Sequence, residues 1–349
     1  MARTATFQPE KKAKSYGSDF DVERLWKENT DSIKRFLDRR PDYEKLCAEV
    51  AYILNRELNK AAIEFSTIAY RAKSLNSFLE KIQRKSYRDP VSEITDFAGV
   101  RVVCLYVDDL EKLERVIAEN FEIVEKIDKL RARKTDQFGY GAVHFVVRLG
   151  ENASGARYDD LKNLVCEIQT RTVLQDAWAI IDHHLVYKNE SNIPTVLRSR
   201  LNHLAGDFQA ADEEFGELRR EREEYLREVA DSEMDAAQFL ENELNLDSFI
   251  RYAQWKFPGL PAGTALLDVP FYLKPLAEMN LRDLGALDAV VNRGLPAYER
   301  YCEENGRLFL TSYSITSVTL CALLENPGFI PEHLKSVFPK LAEFIEKKF

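Results

Sequence analysis

The sequence predicts an α/β (α+β) protein: a mixed β-sheet domain flanked by helices, followed by a mostly α-helical C-terminal region. Three observations lead there. Between about residues 40 and 190, short β-branched runs such as VRVVCLYV, HFVVRL and VCEIQTRT alternate with helical patterns. Beyond Pro194 the strand signals stop, and apolar residues recur at steps of four and three along a charged segment. The 349 residues, 45% hydrophobic and 31% charged, are enough for a sizeable core and typical of a globular chain.

Taken in order, MARTATFQPEKKAKSYGS lacks the apolar stretch of a signal peptide, and residues 1–18 read as a disordered tail. Residues 19–39 and 42–66 read as two helices. Arg40-Pro41 is the predicted break, because the residue before proline avoids the helical region. A third helix is predicted over RAKSLNSFLEKIQRK, residues 71–85. VRVVCLYV then reads as a buried strand and DDLEKLERVIAENF as a helix. FEIVEKI and HFVVRL read as strands on either side of the basic loop RARKTDQ, and VCEIQTRT as a strand after a polar loop. Apolar positions 174, 177, 178, 181 and 185 predict a helix that buries Trp178.

These elements make one domain of residues 19–195. Residues 196–349 form a helical extension, opening with a long heptad-patterned helix over 196–230 and continuing as a helical region over 235–349. The heptad seam runs Leu197, Leu201, Leu204, Phe208, Ala211, Phe215, Leu218, Tyr225 and Val229, with Arg222 in the one missing place. It suits packing on another helix of the same chain or a coiled-coil contact that makes a homo-oligomer. No catalytic signature is legible after residue 235.

A formal charge of −9 argues against coating long nucleic acid or an anionic membrane by charge alone. The five cysteines are scattered with no CxxC, which fits a reducing cytoplasm, and Cys104 and Cys166 read as core residues. No apolar stretch approaches the roughly 20 residues that span a bilayer.

Four stretches could carry chemistry. Lys73, Ser77, Lys81 and Arg84 share one face of the predicted third helix, and residues 70–88 hold six bases against one acid. Such a stripe is either a solvated face or a polyphosphate site in which the serine adds a hydrogen bond to the lysine charges. In EITDFAGVRVV, Asp96 precedes a buried strand and is either a cap or a ligand, while Gly99 permits close backbone approach. In VCEIQTRT, Glu167, Gln169 and Arg171 fall on one strand face, which is solvent-facing unless a metal and nucleotide cover it. In FGYGAVH, Tyr140, Ala142 and His144 share a face, with Tyr140 and His144 about 13 Å apart, roughly the span of a nucleotide.

In this order the four stretches resemble the synthetase domain of the RelA/SpoT family, nucleotidyltransferases that make the alarmones ppGpp and pppGpp. The R-x-K-x-x-x-S-x-x-x-K pattern is met by Arg71, Lys73, Ser77 and Lys81, and D-x-x-G-x-R by Asp96, Gly99 and Arg101. G-Y-x-x-x-H is met by Gly139, Tyr140 and His144, and E-x-Q-x-R-T by Glu167, Gln169, Arg171 and Thr172. Trp178, His184, Tyr187 and Lys188 complete a W…H…YK tail. The resemblance covers about residues 60–190.

It implies pyrophosphoryl transfer from ATP to the ribose 3′-hydroxyl of GDP or GTP, releasing AMP. Arg71, Lys73, Ser77 and Lys81 would hold the ATP phosphates. Asp96 and Glu167 would be the catalytic carboxylates and bind Mg²⁺, with Glu167 also the general base. Tyr140 would stack on the acceptor base, while His144, Gln169 and Arg171 would orient the acceptor. The family's usual P-N-G-Y-x-S-x-H differs here, with Phe138 for the asparagine, Ala142 for the serine, and Asp136 where a lysine often stands. All three changes fall on the acceptor side, which keeps open toxic relatives that modify the tRNA 3′ end or adenosine nucleotides. The segment before the match holds no histidine, so the family's His-Asp hydrolase domain is not expected.

Overall fold

The structure, a computed structural model, describes residues 6–7, 22–128, 141–185, 194–261, 269–306, 312–331 and 339–348. They fall into two compact units, Met1–Leu218 and Arg219–Phe349. No described helix is long and apolar enough to cross a membrane.

After β1 (Thr6–Phe7) and α1 (Val22–Glu28), the predicted break at Arg40-Pro41 does not occur: α2 runs unbroken over Thr30–Lys60. Proline inside a helix costs about 3 kcal/mol. Ile33 and Phe36 before it and Tyr43, Leu46, Cys47 and Val50 after it are all buried on one stripe. Each such side chain contributes about 1.5–3 kcal/mol, so the stripe outweighs the exposed proline. The helix ends at Lys60, short of the predicted 66, where Ala62 takes a positive φ of 53°.

The next correction bears on the site. Phe65–Ala72 is strand β2, and α3 spans only Leu75–Arg84. Arg71 therefore stands on a strand and Lys73 in the turn that follows. The spacing that placed Lys73 on one helical face with Ser77, Lys81 and Arg84 is coincidental for Lys73, which precedes the helix. Phe65, Thr67, Ile68 and Tyr70 carry the β-forming character, and Ser74 starts the helix late by accepting a hydrogen bond from the Ser77 backbone N–H at 3.1 Å. Phe78 of α3 stacks on Phe36 of α2, ring centroids 4.6 Å apart, and this fixes α3 against the domain.

Then follow α4 (Pro90–Glu93), β3 (Ala98–Cys104), α5 (Asp108–Asn120), β4 (Phe121–Asp128), β5 (Val143–Leu149), β6 (Cys166–Thr172) and α6 (Val173–Leu185). The mixed sheet has the order β1-β2-β3-β6-β5-β4, with β3 and β6 parallel and β2–β3, β6–β5 and β5–β4 antiparallel. Residues paired across strands project to the same side. Ile68, Val100, Val102, Phe145, Val147, Cys166 and Ile168 share the apolar core that also takes in α2 and α5. The opposite face is left for polar residues.

Trp178 of α6 is buried against Ala205, Leu174, Leu201 and Phe208, but Ile181 and Leu185 of the same predicted stripe are exposed. On α7 (Thr195–Ser232) the heptad seam is also split: Leu204, Phe215 and Leu218 are exposed. Up to Gly216 the buried line is Ala205, Asp212 and Gly216, displaced by one residue from the seam positions 204, 211 and 215, whereas seam residue Val229 is itself buried with Tyr225 packed beside its core. One residue is about 100° of helix rotation, so the first part of α7 turns a small and polar line inward.

The second unit is helical as predicted, with α8 (Ala236–Leu240), α9 (Leu246–Lys256), α10 (Val269–Glu278), α11 (Leu284–Asn305), α12 (Ser314–Glu325) and α13 (Pro339–Lys348). Residues 314–324 of α12 are buried on every side. Gly294 of α11 allows this, because a Cβ there would lie 1.9 Å from the Cys321 carbonyl oxygen.

Candidate active site

Sheet register assembles the site. Arg71, Gly99, Glu167 and Val146 lie in one row across β2, β3, β6 and β5. The next row is Ala69, Arg101, Gln169 and His144. Arg171 follows on β6, paired with Val103. One strand face thus collects residues scattered over a hundred positions of sequence. A Cβ at Gly99 would meet only the Arg71 carbonyl oxygen, at 3.8 Å, so glycine is not demanded by backbone crowding. What it does is leave an opening between Arg71 and Glu167.

At the end of this face, the backbone N–H of Lys73 donates to the Phe97 carbonyl at 2.7 Å. Arg40 of the unbroken α2 donates to the Lys73 carbonyl at 3.4 Å. The turn is so held that Lys73 Nζ donates to Asp96 Oδ2 at 2.8 Å while Lys81 Nζ lies 2.9 Å from Oδ1. Asp96 is not a cap; it is bracketed by two lysines. Burial pushes its carboxyl up, but Lys73 and Lys81 outweigh that and hold it below the usual range. Burial likewise pulls Lys73 below the usual lysine value, which Asp96 only partly offsets.

Glu167 is fixed from two sides. His144, 3% exposed, brings Nδ1 to 2.7 Å from Oε1, and Gln169 donates Nε2–H to Oε2 at 2.9 Å. Burial raises the Glu167 carboxyl, and the bonds to His144 and Gln169 outweigh it, so the group sits below its ordinary value. The Asp96 charge works weakly against that depression. An ionised carboxylate only accepts, so Nδ1 carries the proton, and Nε2 is buried without a hydrogen-bond partner.

Sequence reasoning missed Asp176 of α6. Arg171 Nη1 and Arg101 Nη1 both reach its Oδ1, at 3.2 and 3.1 Å. Burial and the neighbouring Arg101 charge lower the Arg171 guanidinium from its usual value. Both Nε–H groups are buried without a partner. An acid at the start of a helix is so common that no sequence signal marked it.

Of the remaining candidates, Ser77 and Arg71 are exposed at the cationic end, and His184 is exposed on α6. Tyr140, Tyr187 and Lys188 lie outside the described residues. Among the described residues no three His, Cys, Asp or Glu side chains converge as a metal cage.

The model of the region found in RelA/SpoT proteins matches residues 70–192. GTP pyrophosphokinase YjbM of Bacillus subtilis is 35% identical over 174 residues, spanning 48% of this chain and 77% of that protein. The chain belongs to the RelA/SpoT family. A second B. subtilis relative, GTP pyrophosphokinase YwaC, is 29% identical over 157 residues, covering 43% of this chain and 72% of that protein. Among solved structures, small alarmone synthetase 1 from B. subtilis is 29% identical with a TM-score of 0.44, over 56% of this chain and 99% of that one. The RelA/SpoT region holds every carboxylate, lysine and arginine of the site described above except Arg40. It stops short of α7.

Proposed function

We propose that this chain is a cytoplasmic (p)ppGpp synthetase, transferring the pyrophosphoryl group of ATP to the 3′-hydroxyl of GDP or GTP and releasing AMP. The observation that carries this reading is the shared face of β2, β3, β6 and β5. It sets a cationic end, Arg71, Lys73 and Lys81, beside ionised Asp96 and Glu167 and a polar end of Gln169, Arg171 and His144. Family membership supports it independently.

The cationic end would take the donor. Lys73 and Lys81 would turn from Asp96 to the β- and γ-phosphates. Ser77 and Arg71, exposed beside them, would add a hydroxyl and a guanidinium, near the N-terminus of α3 where anions are favoured. Asp96 and Glu167 fit Mg²⁺: both are ionised hard-oxygen donors, and magnesium ordinarily uses one or two carboxylates with substrate phosphates. The ion would offset charge on the transferring phosphoryl group. The released lysines and the bound carboxylates would thereby exchange partners without leaving a charge unmatched.

Transfer forms a bond from O3′ to the β-phosphorus and breaks the bond from that phosphorus to the α–β bridging oxygen, which leaves with AMP. The 3′-hydroxyl proton would pass to Glu167, whose oxygens His144 and Gln169 hold in place. A carboxylate below its usual pKa is a weak base. That suits a loose transition state in which the proton moves late and positioning supplies most of the rate. Tyr140 would stack on the base. The exposed seam residues Leu204, Phe215 and Leu218 would serve a contact between copies of the chain.

Incubation with ATP labelled at the γ-phosphate and a panel of GDP, GTP, ATP and tRNA tests the reading. Label should appear on GDP and GTP in a Mg²⁺-dependent manner. Label on tRNA or adenosine nucleotides alone would assign the chain to the toxic relatives suggested by Phe138 and Ala142, and no labelled product would overturn transfer itself.

A further inference from the structure

Strand β6 ends in a built joint. Thr172 is its last residue and α6 begins at Val173. Thr172 Oγ1 accepts from the Gln175 backbone N–H at 3.0 Å, and Gln175 Oε1 accepts from the Thr172 backbone N–H at 3.0 Å. This is a reciprocal capping box, T-V-L-Q, with both side chains buried. A hydroxyl that accepts in a cap still has a proton to donate. Here it goes to Asp212 Oδ2 of α7, 2.6 Å away and forty positions later in the chain.

Asp212 is 3% exposed and lies outside the family-matched residues 70–192. Close by, Trp178 of α6 packs on Phe208 of α7 with ring centroids 5.8 Å apart, so the two helices already have an apolar clasp. A buried carboxylate is a costly way to strengthen such a clasp. What it adds is direction: it fixes the Thr172 hydroxyl, and with it the angle at which α6 leaves β6.

That angle matters because the polar end of the site is built across the joint. Gln169 and Arg171 are on β6 and Asp176 is on α6, immediately before and after the Thr172–Gln175 cap. Arg171 meets Asp176 at 3.2 Å and Gln169 at 3.5 Å. Lys73, Lys81 and Asp96 lie on other elements and do not depend on it.

We infer that Asp212 is a positioning residue for the acceptor half of the site, supplied by the helix beyond the family region. The inference rests on the acceptor assignment proposed above. Asp212→Ala is expected to raise the acceptor KM about tenfold, the size of a lost charge-assisted hydrogen bond, while the ATP KM stays within about twofold. Asp212→Asn, whose amide oxygen still accepts the hydroxyl, should recover most of the loss. Thr172→Val should match Asp212→Ala and add little to it in the double variant.

Unfolding midpoints are measured beside the kinetics. Should Asp212→Ala fail to fold, Thr172→Val and Thr172→Ser carry the same comparison, with serine expected near wild type. Equal rises in both KM values, a lowered midpoint with unchanged KM, or an asparagine variant as impaired as alanine would each overturn the positioning role. An inactive wild-type chain would remove the functional reading and this inference with it. An active wild type with flat variants would remove the inference alone.

Discussion

Two polar networks in this chain are finished differently. In the helical unit, Asp288 Oδ1 accepts from Tyr252 at 2.7 Å and Lys256 at 2.6 Å, Oδ2 accepts from Asn292 at 2.7 Å, and Lys256 also reaches Asn292 Oδ1 at 2.6 Å. Burial and Asp288 push the Tyr252 hydroxyl far above its ordinary value, so it stays a donor. In the sheet unit, Arg101 Nε, His144 Nε2 and Arg171 Nε are buried without a hydrogen-bond partner, three of the six such side-chain atoms among the described residues. Each unmade bond costs about 1–3 kcal/mol. A closed network holds a fold together. An open one, concentrated on a single sheet face, is what a site keeps for a ligand.

The contrast can be broken by removing one carboxylate from each network. Asp96→Asn should lower transfer by about a hundredfold or more, since it strips charge from the site and leaves Lys73 and Lys81 facing one another. Asp96 is a quarter exposed, so the stability loss should be about 1–3 kcal/mol rather than the 3–5 of a fully buried pair. Urea denaturation measures it. Next in size, Lys81→Met should raise the ATP KM about tenfold with the acceptor KM unchanged, read from initial rates.

In the helical unit, Gly294→Ala places a methyl against the Cys321 carbonyl and should cost about 1–3 kcal/mol of that unit's stability, with transfer unaltered. The smallest effect is in pH. Asp96 and Glu167 bind fewer protons folded than unfolded, because both carboxyls are depressed. Their stabilisation is full above the unfolded values of about 3.9 and 4.3 and is lost as pH falls through the lower folded ones. Acid denaturation of Asp96→Asn should therefore be shallower than that of wild type.

Much of this was legible in the sequence. The alternation in VCEIQTRT placed Glu167, Gln169 and Arg171 on one face, and the order of motifs named the family. The basic stretch misled, because Lys73, Ser77 and Lys81 have helical spacing while pairing with β3 forces Arg71 into a strand. Pro41 misled because local propensity says nothing about a buried stripe that continues past it. The seam of α7 showed a period but not its phase, and one residue of rotation decides whether Leu204 or Ala205 faces inward. Asp176 and Asp212 were invisible because their partners come from register and helix docking, which no local pattern encodes.

The most direct test compares pyrophosphoryl transfer to GDP by Glu167→Gln and Asp288→Asn, each shown folded by circular dichroism under the assay conditions. Glu167→Gln should lose at least about a hundredfold in kcat while still binding a non-hydrolysable ATP analogue, and Asp288→Asn should stay within about twofold of wild type. Comparable activity in the two variants, or the larger loss in Asp288→Asn, would contradict the assignment of the chemistry to the sheet face.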